Sequence, residues 1–546
     1  MSYVTGAHNL KSGFTIIRGN VTGNTINRAD DVSSLPLSYT FTNGTPTSMT
    51  LFASRNSDAH LDQDLALFVQ DQWALRRLTL SLGLRLDWMS QSLGAVDNPA
   101  NALFPAYSSP ARDGVPSWKD LSPRLGAAYD LFGDGRTALK GGVNRYVAGG
   151  STGVAAQFGP TANFSTTRNW TDANANFSPD CDLKNPAAQD LRSRGGDLCG
   201  AYNNPSVATF SENTTVANPD FTDGWFKRGY NWRASAGIEQ QLTNRLAVSA
   251  TYARTIYGNF SVTDNLNLTP ADYDPYCITL PTDSRLPRSG QQLCGLWDQR
   301  INVATSNLVG FADDYVDRYP VSGLEQSPQT EHFNGFDLSM AARLPRAGTF
   351  NAGWSVGNTI QNTAISANGG LVNNAISNCF IVDNPEQLTS EVSPCDVSTP
   401  YQHRFRMSGS FELPWGGVIA SGVYQDLPGP LIVANRVYTS AEINSQPSGG
   451  LGRPLRTATR SIDILEPFSM YGDRLRQLDL RGSKLFRVGD QRFQLNVDLY
   501  NALNGSTATF IRNTYSAPGA ATTTPWLQPT QVQDGRFWKF SLQYDF

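Results

Sequence analysis

The chain contains no run of about 18 apolar residues, so no helix in it is built to cross a membrane. It has four histidines, and its cysteines are not spaced as Cys-x-x-Cys, which leaves little to hold zinc. It also lacks a surplus of either charge: 43 Lys and Arg stand against 47 Asp and Glu, for a formal net charge of −4. With no basic stripe, nothing points to a nucleic-acid partner. No His-Glu-x-x-His and no glycine-rich phosphate loop is present. These gaps leave no catalytic, cofactor-binding or metal residue to name, so an enzyme is not the expectation.

What is present is alternation. The chain ends Arg536-Phe-Trp-Lys-Phe-Ser-Leu-Gln-Tyr-Asp-Phe546. Trp538, Phe540, Leu542, Tyr544 and Phe546 fall on one face of a strand, and Lys539, Ser541, Gln543 and Asp545 on the other. An edge strand of a soluble sandwich alternates in the same way, but such edges are usually blunted by charge, Pro or a following tail. The stretch from Leu78 repeats the pattern. Leu78, Leu80, Leu82, Leu84, Leu86 and Trp88 share a face, opposite Thr79, Ser81, Gly83, Arg85 and Asp87. Large apolar residues in strict alternation, ending at Trp, suit a lipid-facing strand with an interfacial anchor.

The alternating segments come as hairpins. Residues 64–73 lead into 78–88, 122–132 into 136–146, 229–242 into 245–256, 332–344 into 349–360, 403–413 into 418–426, and 473–486 into 492–502. Most of the links carry Gly, Pro, Asn or Asp, the residues that supply unusual or preset φ. Adding 9–18 and 536–546 gives 14 strands. Between hairpins lie long Asn-, Pro-, Ser- and Thr-rich segments: 89–121, 147–228, 257–331, 361–402, 427–472 and 503–535. Residues 36–53 have strand character but are assigned to the first long loop. Short links alternating with long ones are the pattern of bacterial outer-membrane barrels, whose short turns are periplasmic and long loops external.

Six cysteines fall into three local pairs: Cys181 with Cys199, Cys277 with Cys294, and Cys379 with Cys395. Six cysteines allow 15 connectivities. Neighbour pairing is expected because each pair sits within a single polar segment. Closing a loop of this size stabilises it by about 3 kcal/mol in the chain-entropy account. Such bonds require an oxidising compartment, the periplasm or the cell surface.

Several phrases, taken in order, resemble a known family. "LALFVQDQW…LTLSLGLRLDW", "LSPRLGAAYDLFGDGRTALKGGVNRY", "YQHRFRMSGSFELPWG", "LRQLDLRGSKLFRVGDQRFQLNVDLYNALN" and the Phe-terminated last strand are similar to the barrel of TonB-dependent receptors. The likeness is greatest to the Oar-like receptors, which carry a carboxypeptidase-regulatory-like domain ahead of the plug. It runs from about residue 7 to 546 and is weakest in the long loops. It implies an all-β fold, an antiparallel transmembrane β-barrel with about 14 strands in this chain out of about 22. Residues 1–546 are then a barrel portion, with plug, TonB box and signal peptide absent from this chain. The expected site is the bacterial outer membrane. The expected partners are outer-membrane lipid, the barrel-assembly machinery reading Trp538 to Phe546, an extracellular solute, and the TonB complex if the full-length protein has a plug and TonB box.

Loops on a rigid scaffold usually carry binding. The two longest hold Trp170, Trp225, Tyr273, Tyr276 and Trp297, the ligand-contact candidates. Inner-face polar residues Arg85, Asp87, Gln494, Asn496 and Asp498 are the wet side every barrel strand needs. Trp88, Trp232, Trp354, Trp415 and Trp538 are expected in an interfacial girdle. His403 is expected as a polar lumen or rim residue. Asp313, Asp314 and Asp317 match no EF-hand spacing and are expected as a solvated acidic turn. The functional expectation is a receptor that binds a solute with its loops and passes it inward. A passive porin-like channel and a surface-adhesion barrel are the alternatives.

Overall fold

The computed structural model describes residues 1–25, 35–157, 161–211, 215–217, 219–259, 261–265, 270–301, 309–313, 331–361, 397–414, 416–447, 450–489, 491–517 and 525–545. Fourteen long strands form one antiparallel sheet in sequence order. They are β1 (His8–Thr25), β2 (Arg55–Leu75), β3 (Leu78–Leu93), β4 (Ser117–Asp130), β5 (Thr137–Val147), β6 (Tyr230–Thr243) and β7 (Leu246–Gly258). They continue with β8 (Glu331–Arg343), β9 (Thr349–Gln361), β10 (Gln402–Glu412), β11 (Val418–Leu427), β12 (Leu475–Val488), β13 (Gln491–Tyr500) and β14 (Phe537–Asp545). Each pairs with the next. All 14 predicted strands are present. A short strand, Ser2–Thr5, pairs with β1 as well and had not been anticipated. Among the described residues no ladder joins β14 to β1 or to Ser2–Thr5.

β1 and β2 run to 18 and 21 residues, well beyond the segments that alternate. A spanning strand needs only about 9–11 residues. Their outer halves are also paired, and each contains a register shift, between Ile17 and Gly19 and between Leu61 and Gln63. Past these irregularities neither face is uniformly apolar, so the strict alternation stops.

The register puts the apolar residues on one surface. Val69 opposes Leu84, Leu82 opposes Leu125, Leu125 opposes Val143, and Leu495 opposes Leu542. Leu82, Leu84, Leu125, Val143, Leu495 and Leu542 are all exposed, and Phe540 is 69% exposed. The opposite surface carries Lys11, Gln70, Arg124, Asn144 and Arg233 in one cross-strand row. A sheet that exposes its apolar face is built for an apolar solvent.

The links at one end are tight. In the β4–β5 turn the Asp130 carboxylate accepts from Gly133 N and Gly135 N, each at 2.9 Å. Gly133 has φ +78°, and a Cβ there would lie 2.5 Å from Arg77 Nε. Only glycine meets both demands without a shift.

Candidate functional site

The long segments fold at the other end of the sheet into a cap with two apolar cores. One core joins loops β1–β2, β3–β4 and β5–β6: Leu37, Met49, Leu51, Leu103, Phe104 and Trp170 pack with Cys181 and Cys199. Its frame is a five-stranded sheet in which Leu37–Thr42, Thr45–Phe52 and Ser165–Thr171 are the longer strands. Residues 36–53 thus lie outside the main sheet, as expected. The Cys181–Cys199 disulfide is present. Arg168 is buried beside it and donates to the carbonyls of Gly200, Ala187 and Asn185 at 2.8, 2.9 and 3.2 Å. Burial pushes this guanidinium below the usual arginine range.

The second core joins segments from 257–331, 427–472 and 503–535. Tyr276, Ile278, Leu280, Leu293, Tyr438 and Trp526 are among its members. The hairpin of Tyr273–Thr279 and Gln292–Gln299 is closed by Cys277–Cys294. Arg453 ties it to the 427–472 segment, with Nε 2.9 Å from Asp274 and Nη1 2.6 Å from Asp298. Asp283 is gripped by Arg285 at 2.6 Å and by the Tyr515 hydroxyl at 3.0 Å. The Arg285 guanidinium holds the Asp283 carboxyl down at about 2, while burial pushes the Tyr515 hydroxyl up to about 12. Among the described residues Asp463 has no ion-pair partner; it accepts from the Ala434 and Leu465 amides, and burial outweighs them to push its carboxyl up to about 6. Cys379 and Cys395 lie outside the described residues, as do Asp314 and Asp317. Asp313 ends the strand Val309–Asp313, opposite Ser261.

The five aromatic ligand candidates are split by this packing. Trp170 is 1% exposed, and Tyr273 and Tyr276 are also buried. Trp170 Nε1 donates to Asp197 at 2.9 Å, as core tryptophans do. Trp297 is half-buried, and Trp225, at 50%, is exposed beside Phe226. The structure therefore brings none of the five together as one surface.

Hard-cation ligands are best represented by the loop Asp172–Asp180. Asp172, Asn174, Asn176 and Asp180 stand at positions 1, 3, 5 and 9 of a calcium-loop spacing. Asp172 accepts from Asn176 N at 3.2 Å and Phe177 N at 2.9 Å, and Asn174 Nδ2 donates to Asp180 at 2.7 Å. The amides close this loop themselves. Among the described residues, no three His, Cys, Asp or Glu side chains gather for a metal.

One loop also enters the wall. Pairing of β4 with β5 stops at Arg124 and Asn144. Beyond it Asp223–Trp225 lies parallel against Ser117–Lys119. Trp118 Nε1 donates to Phe221 O at 2.6 Å, and Ala155 N donates to Gln91 Oε1 at 3.0 Å. Around this seam sit Asp64, Asp87 and Asp120 with Arg85, Arg145 and Arg228. Arg85–Asp87 closes at 2.8 Å, Arg145–Asp120 at 2.9 Å and Arg228–Asp64 at 3.8 Å. Arg228 Nε, Asp87 Oδ2, Asp120 Oδ2 and Ser122 Oγ are buried with no partner among the described residues. Each such atom costs about 1–3 kcal/mol. Burial pushes Arg228 below the usual arginine range, with Asp64, Asp120 and Asp87 opposing. No local signal marks Arg228 in the sequence, since its partners lie on three distant strands.

Residues 1–428 match the profile of the outer membrane beta barrel domain. The chain belongs to this family. It is an outer-membrane protein, and the exposed apolar face of the sheet is its lipid face. Among solved structures, it is similar to the outer membrane transporter YddB from Escherichia coli at 13% identity and a TM-score of 0.47, over 100% of this chain and 53% of that one. The ferric-catecholate import receptor Fiu from E. coli K12 aligns at 12% identity and a TM-score of 0.44, over 100% and 53%. The siderophore receptor PiuA from Acinetobacter baumannii aligns at 11% identity and a TM-score of 0.42, over 100% and 54%. The chain thus spans about half the length of the solved structures it matches. No curated protein matches the sequence.

On the lipid face of this barrel wall, Trp88 is exposed under Lys119 at 5.3 Å, and Trp538 is exposed on β14. Trp232 is half-buried on β6. Trp354 lies mid-strand, stacked on His403, which stands at the rim on the same face. Trp415 and Phe546 lie outside the described residues. Of the inner-face residues, Asp498 is buried under Arg481, and Asn496 accepts from Ser483 at 2.7 Å and from Gln494 at 2.8 Å. They form a network within the wall.

Proposed function

We propose that this chain is the C-terminal barrel portion of a TonB-dependent, Oar-like outer-membrane receptor. Its external loops bind a solute, and the barrel passes that solute across the membrane. Its work is recognition and passage, with no catalysis. One observation carries the reading. The long connections collect at one end of the wall into two cores, the first containing Cys181–Cys199 and the second built on a hairpin closed by Cys277–Cys294, while the other end closes with tight turns. Cohesion of that kind suits a rigid recognition surface. Trp297 is its partly exposed aromatic from the candidate set; Trp170, Tyr273 and Tyr276 support it from within, and Trp225 lies on the segment that enters the wall beside Lys119. In this reading the alternating residues Trp538, Phe540, Leu542, Tyr544 and Phe546 are the signal for the barrel-assembly machinery, and lipid and the TonB complex are the further partners.

Removal of both 147–228 and 257–331 should abolish solute binding at the cell surface. Unchanged binding would overturn the reading. The mass of the native polypeptide, detected with an antibody to the last strands, separates an energised receptor from a passive pore or adhesin. A species far heavier than 59.5 kDa is expected, and one near 59.5 kDa favours the other two.

A further inference from the structure

The inner wall across β3–β6 has more cation than it uses. Its carboxylates are Asp87, Asp120, Asp130 and Glu239. Arg85 holds Asp87, Arg145 holds Asp120, and Lys140 holds Glu239 at 2.6 Å. Asp130 is occupied by the turn amides. Arg124 and Arg233 are left without a carboxylate; Arg233 Nε donates to Asn231 Oδ1 at 3.1 Å, which leaves its two terminal nitrogens. Among the described residues neither has a carboxylate within ion-pair distance.

The register sets these two side by side. Arg124 on β4 opposes Asn144 on β5, and Asn144 opposes Arg233 on β6. Both guanidiniums lean on one ring. Arg124 Cζ is 4.9 Å and Arg233 Cζ 5.3 Å from the centre of Tyr146. The two cations are therefore within about 10 Å of each other. That is no more than a Debye length at about 0.1 M salt, so their repulsion is only partly screened. Both side chains are exposed to the inner side. One row along, the wall carries Gly126, Gly142 and Ser235, and a hollow of about 640 Å³ runs from there across the sheet to Lys11; Arg124 and Asn144 line it with Arg85, Lys140 and Asp71, and Arg233 and Tyr146 stand beyond its rim. That volume suits a small ligand.

We propose that Arg124, Asn144 and Arg233, arranged about Tyr146, form an inner-wall binding site for the carboxylate or phosphate groups of a small polyanion. A guanidinium presents its N–H groups in a planar fork that matches both anions, and the Asn144 amide adds a donor. The small residues below let the ligand reach the backbone level of the sheet. The site's place in solute passage rests on the functional reading above; its occupancy by an anion does not.

The test uses the full-length protein extracted from outer membranes in nonionic detergent, with radiolabelled citrate and inorganic phosphate as probes in equilibrium dialysis. Folding of each variant is checked by heat-modifiable gel mobility. The wild type should bind citrate, and R124Q/R233Q should bind it at least tenfold more weakly. R124K, which keeps the charge and loses the fork, should fall between them. High salt should shrink all the differences. Should the double variant misfold, the single R124Q and R233Q variants carry the same comparison. Equal citrate affinity in wild type and variants would overturn the site. So would the absence of any citrate or phosphate binding to folded wild type. The functional reading fails separately, when loop deletion leaves cell-surface solute binding unchanged, and that result does not touch anion binding at Arg124 and Arg233.

Discussion

In the wall of this protein leucines point outward, and in the cap they point inward. Leu82, Leu84 and Leu542 are exposed on the sheet, whereas Leu51, Leu280 and Leu293 are buried in the loops. The same side chain obeys the same rule in two solvents. Lipid accepts the apolar face of the wall, and the ladder satisfies the backbone. Water surrounds the cap, so its strands must bury their apolar residues against each other. A disulfide lies in the first cap core and another closes the hairpin that feeds the second, a staple that loops outside the ladder need.

If the two regions are held by separate forces, they should fail separately. Trp170→Ala should cost the cap about 3–5 kcal/mol. Limited proteolysis should then cut within the cap loops 94–116 or 148–228, while the wall keeps its heat-modifiable mobility. Loss of that mobility would break the comparison. In the wall, Leu84→Arg places charge on the lipid face and should cost about 2–4 kcal/mol in urea titrations in lipid vesicles. Ser81→Arg, on the inner face, should cost less than about 1 kcal/mol.

The cap should also respond to pH in two opposite senses. Asp283 is held near 2, below its unfolded value of about 4, so its contribution is present above pH 4 and lost as pH falls toward 2. Asp463 is raised to about 6, so its neutral form is favoured, and its contribution is present below pH 4 and lost as pH rises toward 6. Near-UV dichroism of the cap transition should therefore show a maximum near pH 4. Asp463→Asn should remove the fall on the alkaline side and raise stability at pH 7 by about 1–2 kcal/mol. Asp283→Asn should flatten the acid side. The smallest effect is expected at Lys140, whose pair with Glu239 is half exposed on both sides. Lys140→Gln should change stability by less than about 1 kcal/mol in the same urea titration.

The wall was legible because its signal is local. Period-two alternation over about ten residues marks each strand, and the turn chemistry between Asp130 and Arg136 or around Pro345 marks the links. The outer halves of β1 and β2 were missed because alternation ends where the lipid ends. The cap was legible in its cysteines and little else. Trp170 and Trp225 sit in the same polar loop with similar neighbours, yet one is 1% exposed and the other 50%. What separates them is a pairing with Thr45–Phe52, more than a hundred residues away.

The sequence by itself determined the fourteen wall strands and the sidedness of the sheet, since side-chain parity and turn residues are properties of neighbours along the chain. The tertiary structure alone decided which loops share a core and which aromatics reach water. It also decided that loop residue Arg228 reaches Asp64 and that Arg124 and Arg233 meet over Tyr146. Those outcomes depend on contacts between distant segments, and no short stretch of sequence encodes a neighbour it has not yet met.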